Sequence, residues 1–192
     1  VSQLKLLAII SLINKMNKII LNANHLVINA LTAIKNKNYR EAKNLLEKAI
    51  SIQPEMFEAN HNLAILNFQL GNLDSSILYF EKSKKIKPKF SQVYFNLGLA
   101  YDRKKNIDLA IINFKKVIKL DPNNSIALYN IGHLYKAKLE PIKAEEYLNK
   151  SLDLNPNFIK TYDDLFSLYD QSNQIEKFSN LLDKAKKILS EK

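Results

Sequence analysis

Proline recurs at Pro54, Pro88, Pro122 and Pro156, and each interval is 34 residues. A proline ring removes a backbone donor and clashes with the preceding turn, so it closes a helical segment and does not continue one. A closing signal at a fixed interval requires a chain built from repeated units, each too small to bury its own apolar surface. With proline at position 32, the units begin at Ala23, Phe57, Ser91, Ser125 and Ile159. Between the prolines the residues favour helix, since the whole chain holds only 3 Gly and is rich in Leu, Ile and Lys.

In the third unit Tyr94, Leu97, Gly98, Tyr101, Ala110, Phe114 and Pro122 occupy positions 4, 7, 8, 11, 20, 24 and 32. The fourth repeats the pattern with Leu128, Ile131, Gly132, Tyr135, Ala144, Leu148 and Pro156. Positions 4, 7, 8 and 11 share one face of a helix and form an apolar stripe that must be covered. Position 8 is Ala30, Ala64, Gly98 or Gly132, small enough for a second helix to approach closely. The second helix carries its own stripe at positions 20, 24 and 27, such as Ala42, Leu46 and Ala49. Each unit is therefore a helical hairpin, and hairpins that share stripes stack.

These residues resemble the tetratricopeptide repeat over positions 23 to 190. The resemblance implies an all-α fold, a right-handed superhelix of five hairpins spanning 23–56, 57–90, 91–124, 125–158 and 159–192, with an N-terminal helix within residues 1–22. The outer units depart from the pattern. Asn29, Ala33 and Asn67 replace expected apolar residues, Phe166 and Phe178 stand at the two small positions of the fifth unit, and Ser190 replaces its proline. Altered terminal units suit the exposed ends of a stack.

Residues 1–22 hold an apolar run, Leu6 to Ile13, that is too short to span a bilayer. Ser11, Asn14, Lys15, Lys18 and Asn22 form a polar stripe at helical spacing. The segment is expected to be an amphipathic helix covering the first unit, and a membrane is not an expected partner. No cysteine occurs, which excludes disulfides and thiolate metal sites and fits a cytoplasmic setting.

Little in the chain points to catalysis. His25, His61 and His133 make no i,i+4 pair, and Gly71, Gly98 and Gly132 are too scattered for a phosphate loop. No enzyme activity, metal or cofactor is expected. The net charge is +10, with +5 over residues 1–56 and zero over each of the last two units. Lys82, Lys84, Lys85, Lys87, Lys115, Lys116 and Lys119 cluster late in second helices, away from the groove that first helices line. That placement serves solvation better than a phosphate track, so nucleic acid is not an expected partner.

Positions 2, 5, 6, 9, 12 and 13 lie opposite the buried stripe and line the concave surface. Position 6 is Asn62, Asn96 and Asn130 in three consecutive units, then Asp164. Asparagine is a mediocre helix former, and a carboxamide offers donor and acceptor together. A second asparagine register, Asn38, Asn72 and Asn106, falls in the turn between helices, where that residue has a conformational reason to be. The triplets Asn96-Leu97-Gly98 and Asn130-Ile131-Gly132 are similar to repeats of the O-linked N-acetylglucosamine transferase superhelix. That resemblance implies an asparagine ladder that hydrogen-bonds the backbone of an extended peptide. Selectivity would come from His61, Phe95, Asp102, Arg103, Tyr129, His133 and Lys136. The expected function is a protein-interaction scaffold holding a protein or peptide partner in its groove. The alternative is a module of a larger bacterial glycosyltransferase or sulfotransferase with a fused catalytic domain.

Overall fold

The computed structural model describes residues 2 to 190, and side chains from Lys5 to Ile188. Residues 1, 191 and 192, at the outer limits of the first and last expected segments, lie outside the described residues. Among the described residues there are ten helices and no strand. They are α1 (Ser2–Lys35), α2 (Tyr39–Ile52), α3 (Phe57–Gln69), α4 (Leu73–Ile86), α5 (Ser91–Arg103), α6 (Ile107–Leu120), α7 (Ser125–Ala137), α8 (Pro141–Leu154), α9 (Ile159–Gln171) and α10 (Ile175–Ser190). They pair consecutively as five hairpins in the register set by the prolines, and the all-α class is the expected one. The chain divides into two compact units, residues 1–89 and 90–192.

In the first unit, Ala23, Val27 and Ala30 of α1 meet Ala42, Leu46 and Ala49 of α2, and Leu63 and Leu66 of α3 extend this core. Alanine dominates because the axes approach too closely for larger side chains at those positions. Two buried asparagines replace apolar residues on α3, and the amide nitrogen of each is satisfied locally. Asn60 Nδ2 donates to the carbonyls of Pro54 and Met56, both at 2.9 Å, which ties the preceding turn to the helix. Asn67 Nδ2 donates to the Leu63 carbonyl at 2.8 Å. The Ser76 hydroxyl of α4 donates to the Ala64 carbonyl at 2.9 Å, an interhelix bond that the small residue at position 8 leaves room for.

The N-terminal segment differs from expectation in two ways. It is not a separate helix, because α1 runs unbroken for 34 residues into the first helix of the first repeat. No proline precedes Pro54 and no glycine precedes Gly71, so nothing at residue 22 breaks the helix. Nor does the segment cover the first repeat: every residue from Lys5 to Asn22 is exposed, and burial begins at Ala23.

In the second unit the expected small positions are where helices close on one another. A Cβ built on Gly98 would lie 2.8 Å from the Phe114 ring, and one on Gly132 would lie 2.7 Å from Leu148 Cγ. Phe114 and Leu148 are fully buried, so neither can yield. The fifth hairpin replaces this close approach with two rings, Phe166 and Phe178, whose centroids are 4.9 Å apart. Accordingly α9 and α10 pack less closely than the two helices of the other four hairpins.

Every hairpin turns through one residue of positive φ at position 15: Lys37 (60°), Gly71 (79°), Lys105 (62°), Leu139 (58°) and Asn173 (53°). The next residue donates its N–H five residues back, as Asn106 does to the Tyr101 carbonyl at 2.9 Å, which is the Schellman closure of a helix. The asparagines at position 16 are thus not the left-handed residues of the turn. Asn38 and Asn106 instead cap the second helices, accepting from the N–H groups of Glu41 and Leu109.

Candidate peptide-binding surface

The stripe at positions 4, 7, 8 and 11 faces the core, so position 6 is turned about 150° from its centre at 100° per residue. The structure follows this rule for the three asparagines. Asn62 on α3, Asn96 on α5 and Asn130 on α7 are all half-buried at the edge of solvent, while Leu63, Leu97 and Ile131 beside them are fully buried.

Their carboxamides are not idle. Asn130 Nδ2 donates to the Ile126 carbonyl at 2.7 Å, and Asn62 Nδ2 donates to the Glu58 carbonyl at 2.7 Å. Asn96 uses its oxygen, accepting from Gln92 Nε2 at 3.1 Å. In Asn62 and Asn130 the oxygen and the second amide N–H are left for a partner, and in Asn96 the amide nitrogen and one lone pair of the oxygen. A ladder that uses donor and acceptor together must share each carboxamide with these local bonds, which fix its orientation and lower the net gain of each contact.

Asp164, the fourth member of the register, behaves differently. It is buried, and it accepts from His133 Nδ1 and from Lys136 Nζ, each at 2.7 Å. The two donors come from positions 9 and 12 of α7, and the acceptor from position 6 of α9. Burial pushes the Asp164 carboxyl up, but the two hydrogen bonds outweigh it and hold the pKa below the ordinary value. The bond to Asp164 raises His133 above its ordinary value, against partial desolvation. Tyr129 stacks on His133 with centroids 5.8 Å apart, and its hydroxyl is pushed up to about 12 by burial and then by the Asp164 carboxylate. Tyr129, His133, Lys136 and Asp164 therefore form one cluster, in which Asp164 is a structural acceptor already satisfied on two sides.

The remaining expected selectivity residues divide by burial. Phe95 sits edge-on to the core ring of Phe114 at 5.5 Å, so only part of its surface is available to a partner. Asp102 is half-buried and Arg103 is exposed at the end of α5, and the charge of Asp102 reaches His133. His61, in the first unit, stacks on Phe57 at 5.1 Å and meets the Phe80 edge at 5.6 Å. Burial and then the nearby Lys87 lower its pKa. The joining of α7 to α9 through Asp164 is the part that sequence reading missed. Its signal was present as an aspartate in the asparagine register, 31 residues after a histidine and 28 after a lysine.

Several lysines late in the second helices are engaged by neighbours. Lys87 pairs with Glu58 at 2.9 Å and lies over the Phe57 ring. Lys115 donates to the Tyr135 hydroxyl at 3.0 Å, and Lys116 lies over Tyr94. Among the described residues no group of three or more His, Cys, Asp or Glu is placed to hold a metal ion.

Comparison with known proteins follows the same register. Family models described as "Tetratricopeptide repeat" match residues 33–97, 91–124 and 125–158, the last two with the limits expected from the prolines. Among curated proteins none matches the sequence significantly. A MamA structure from Desulfovibrio magneticus RS-1 is similar at 19% identity and a TM-score of 0.80, covering 89% of this chain and 97% of that one. Pseudomonas aeruginosa PilF is similar at 21% identity and a TM-score of 0.72, covering 86% and 76%. YrrB, described as "a TPR protein with an unusual peptide-binding site", matches at 21% identity and a TM-score of 0.68, covering 80% and 85%. At these identities the likeness is one of fold. None of it supports a fused glycosyltransferase or sulfotransferase.

Proposed function

The chain belongs to the tetratricopeptide repeat family, and on that premise we propose that it is a protein-interaction scaffold that holds an extended peptide against its first helices. The observation that carries the proposal is the recurrence of Asn96 and Asn130 at one register of α5 and α7, half-buried and each with part of its carboxamide uncommitted. A main-chain amide has the same donor and acceptor pair, so carboxamides recognise a peptide whatever its side chains. Neighbouring helices lie about 8–10 Å apart and an extended strand rises about 3.3 Å per residue, so asparagines on successive first helices meet roughly every third peptide residue. Asn62 has the same role on α3 in its own unit.

Selectivity at the α7 and α9 end belongs to Tyr129, His133 and Lys136. Their shared acceptor Asp164 fixes their orientation and removes much of their net charge. That end is therefore predisposed to polar and aromatic peptide side chains over strongly acidic ones. The likeness to YrrB, with its described peptide-binding site, is consistent with this reading. The absence of cysteine accords with a cytoplasmic setting for it.

The test is to select binders from a displayed library of random unstructured peptides and map one by amide chemical shifts on the labelled chain. Perturbations are expected on the exposed faces of α5, α7 and α9. Perturbations confined to α6, α8 and α10 would place the partner on the opposite surface and contradict the proposal.

A further inference from the structure

The N-terminal half of α1 has no role in the repeat array. From Leu6 to Leu21 it carries ten large apolar side chains that are 44 to 61% exposed, and among the described residues none of them meets a covering element. Six of these, Leu6, Ile9, Leu12, Ile13, Met16 and Ile20, fall on one face that spans about a third of the circumference at 100° per residue. Opposite them run Ser11, Asn14, Lys15, Lys18 and Asn22. Exposed apolar surface of this extent on a folded chain marks an interaction site.

The charge of the segment identifies its partner. All charges in residues 1 to 40 are positive, since Lys5, Lys15, Lys18, Lys35, Lys37 and Arg40 precede the first acidic residue, Glu41. A second copy of the same helix would bring lysine against lysine with no acid to complement it, and a two-helix seam needs a narrower apolar stripe than this one. A wide apolar face backed by a polar side whose charges are all lysine is the pattern of a helix lying in the headgroup region of an anionic bilayer.

Crossing the bilayer is the alternative that length and composition allow, because α1 is long and apolar enough from Lys5 to Lys35, with a mean hydropathy of 1.3 in its most apolar window. Two features oppose it. Lys15 and Lys18 fall inside the apolar stretch, where a lysine is costly at the bilayer centre. Residues from Ala23 onward are buried against α2, so the part of that apolar window beyond residue 22 is not available to lipid. We propose that residues 5–22 of α1 dock the chain on an anionic lipid surface, apolar face down and with Lys15 and Lys18 adding positive charge from the polar side, with the repeat array left in water.

The experiment is co-sedimentation of the full chain with vesicles of phosphatidylcholine alone and of phosphatidylcholine mixed with phosphatidylglycerol. The chain should bind the mixed vesicles and bind neutral ones far more weakly. Ile9→Glu with Ile13→Glu should abolish binding, and Lys15→Gln with Lys18→Gln should weaken it roughly 30-fold, about fivefold per lysine. None of these side chains touches the array, so circular dichroism and thermal unfolding of its helices should be unchanged, which separates loss of docking from loss of fold. Equal binding to both vesicles would contradict the proposal. Retained binding by the glutamate variant would assign the attraction to the general lysine excess and overturn it. Absence of vesicle binding would overturn it also, and concentration-dependent dimers in that case would assign the face to a second copy.

Discussion

His133 Nδ1 lies 2.7 Å from Asp164 Oδ2, a bond between successive repeats of the second unit that depends on the charge state of both residues. The pKa of His133 is raised above 6.5 by this bond, and that of Asp164 is lowered below 3.8. A raised histidine contributes stability that is fully present below 6.5 and is lost as pH rises through its folded pKa. The depressed aspartate contributes stability present above 3.8 and lost as pH falls through its folded pKa. Wild type should therefore exceed His133→Gln in melting temperature most clearly between these limits, with the difference fading toward alkaline pH. Histidine chemical shifts give a direct check, since Asp164→Asn should lower the titration midpoint of His133. An unchanged midpoint would mean that the bond is not maintained in solution.

Gly98 and Gly132 allow α5 and α7 to close on Phe114 and Leu148. Alanine at either position gains up to about 1 kcal/mol of helix propensity, but the added methyl overlaps a fully buried side chain and costs about 1–3 kcal/mol in displaced packing. With the full propensity gain the net effect is a loss of up to about 2 kcal/mol per site, read as a fall in the urea midpoint. Ala64 already holds the equivalent position of the first unit, so the penalty belongs to these two neighbours and not to the register as such.

Leu139 occupies the left-handed turn between α7 and α8 at φ 58°, and it is 87% exposed. An ordinary side chain there costs about 1–2 kcal/mol that asparagine largely avoids, and exposure means that little packing is lost on replacement. Leu139→Asn should stabilise the chain by about 0.5–1 kcal/mol, measured by chemical denaturation. Asn173 already occupies the same turn position of the next repeat at φ 53°.

The repeat was legible in the sequence because its cause is local and recurrent. Four prolines mark the helix ends, and Gly98 and Gly132 mark the closest approaches. The position-6 asparagines were legible for a related reason, since the buried stripe leaves that register at the surface. Three features were not legible. Whether residues 5–22 fold back on the first repeat depends on a break at residue 22, and an apolar run looks the same whether or not it is covered. The capping role of Asn38 and Asn106 was hidden because turn and cap positions differ by one residue, while the left-handed position holds lysine, glycine, leucine or asparagine. The satisfaction of Asp164 by two side chains of the preceding repeat depends on how α7 and α9 pack, which no single repeat encodes.

The central claim is that the asparagine register contacts a peptide main chain. With a peptide selected from a random library, its affinity should be measured by calorimetry for wild type and for the double variant Asn96→Ala and Asn130→Ala. Both side chains lie at the solvent edge of their helices, so the fold should persist. Each contributes one or two hydrogen bonds of net ~0.5–1.5 kcal/mol, reduced by competition with the local bonds to Gln92 and Ile126. The account predicts a loss of about 1–3 kcal/mol, roughly 5- to 150-fold in Kd, for peptides of unrelated sequence alike. An unchanged Kd in a folded double variant would contradict it, and would return these asparagines to polar residues on a solvated face.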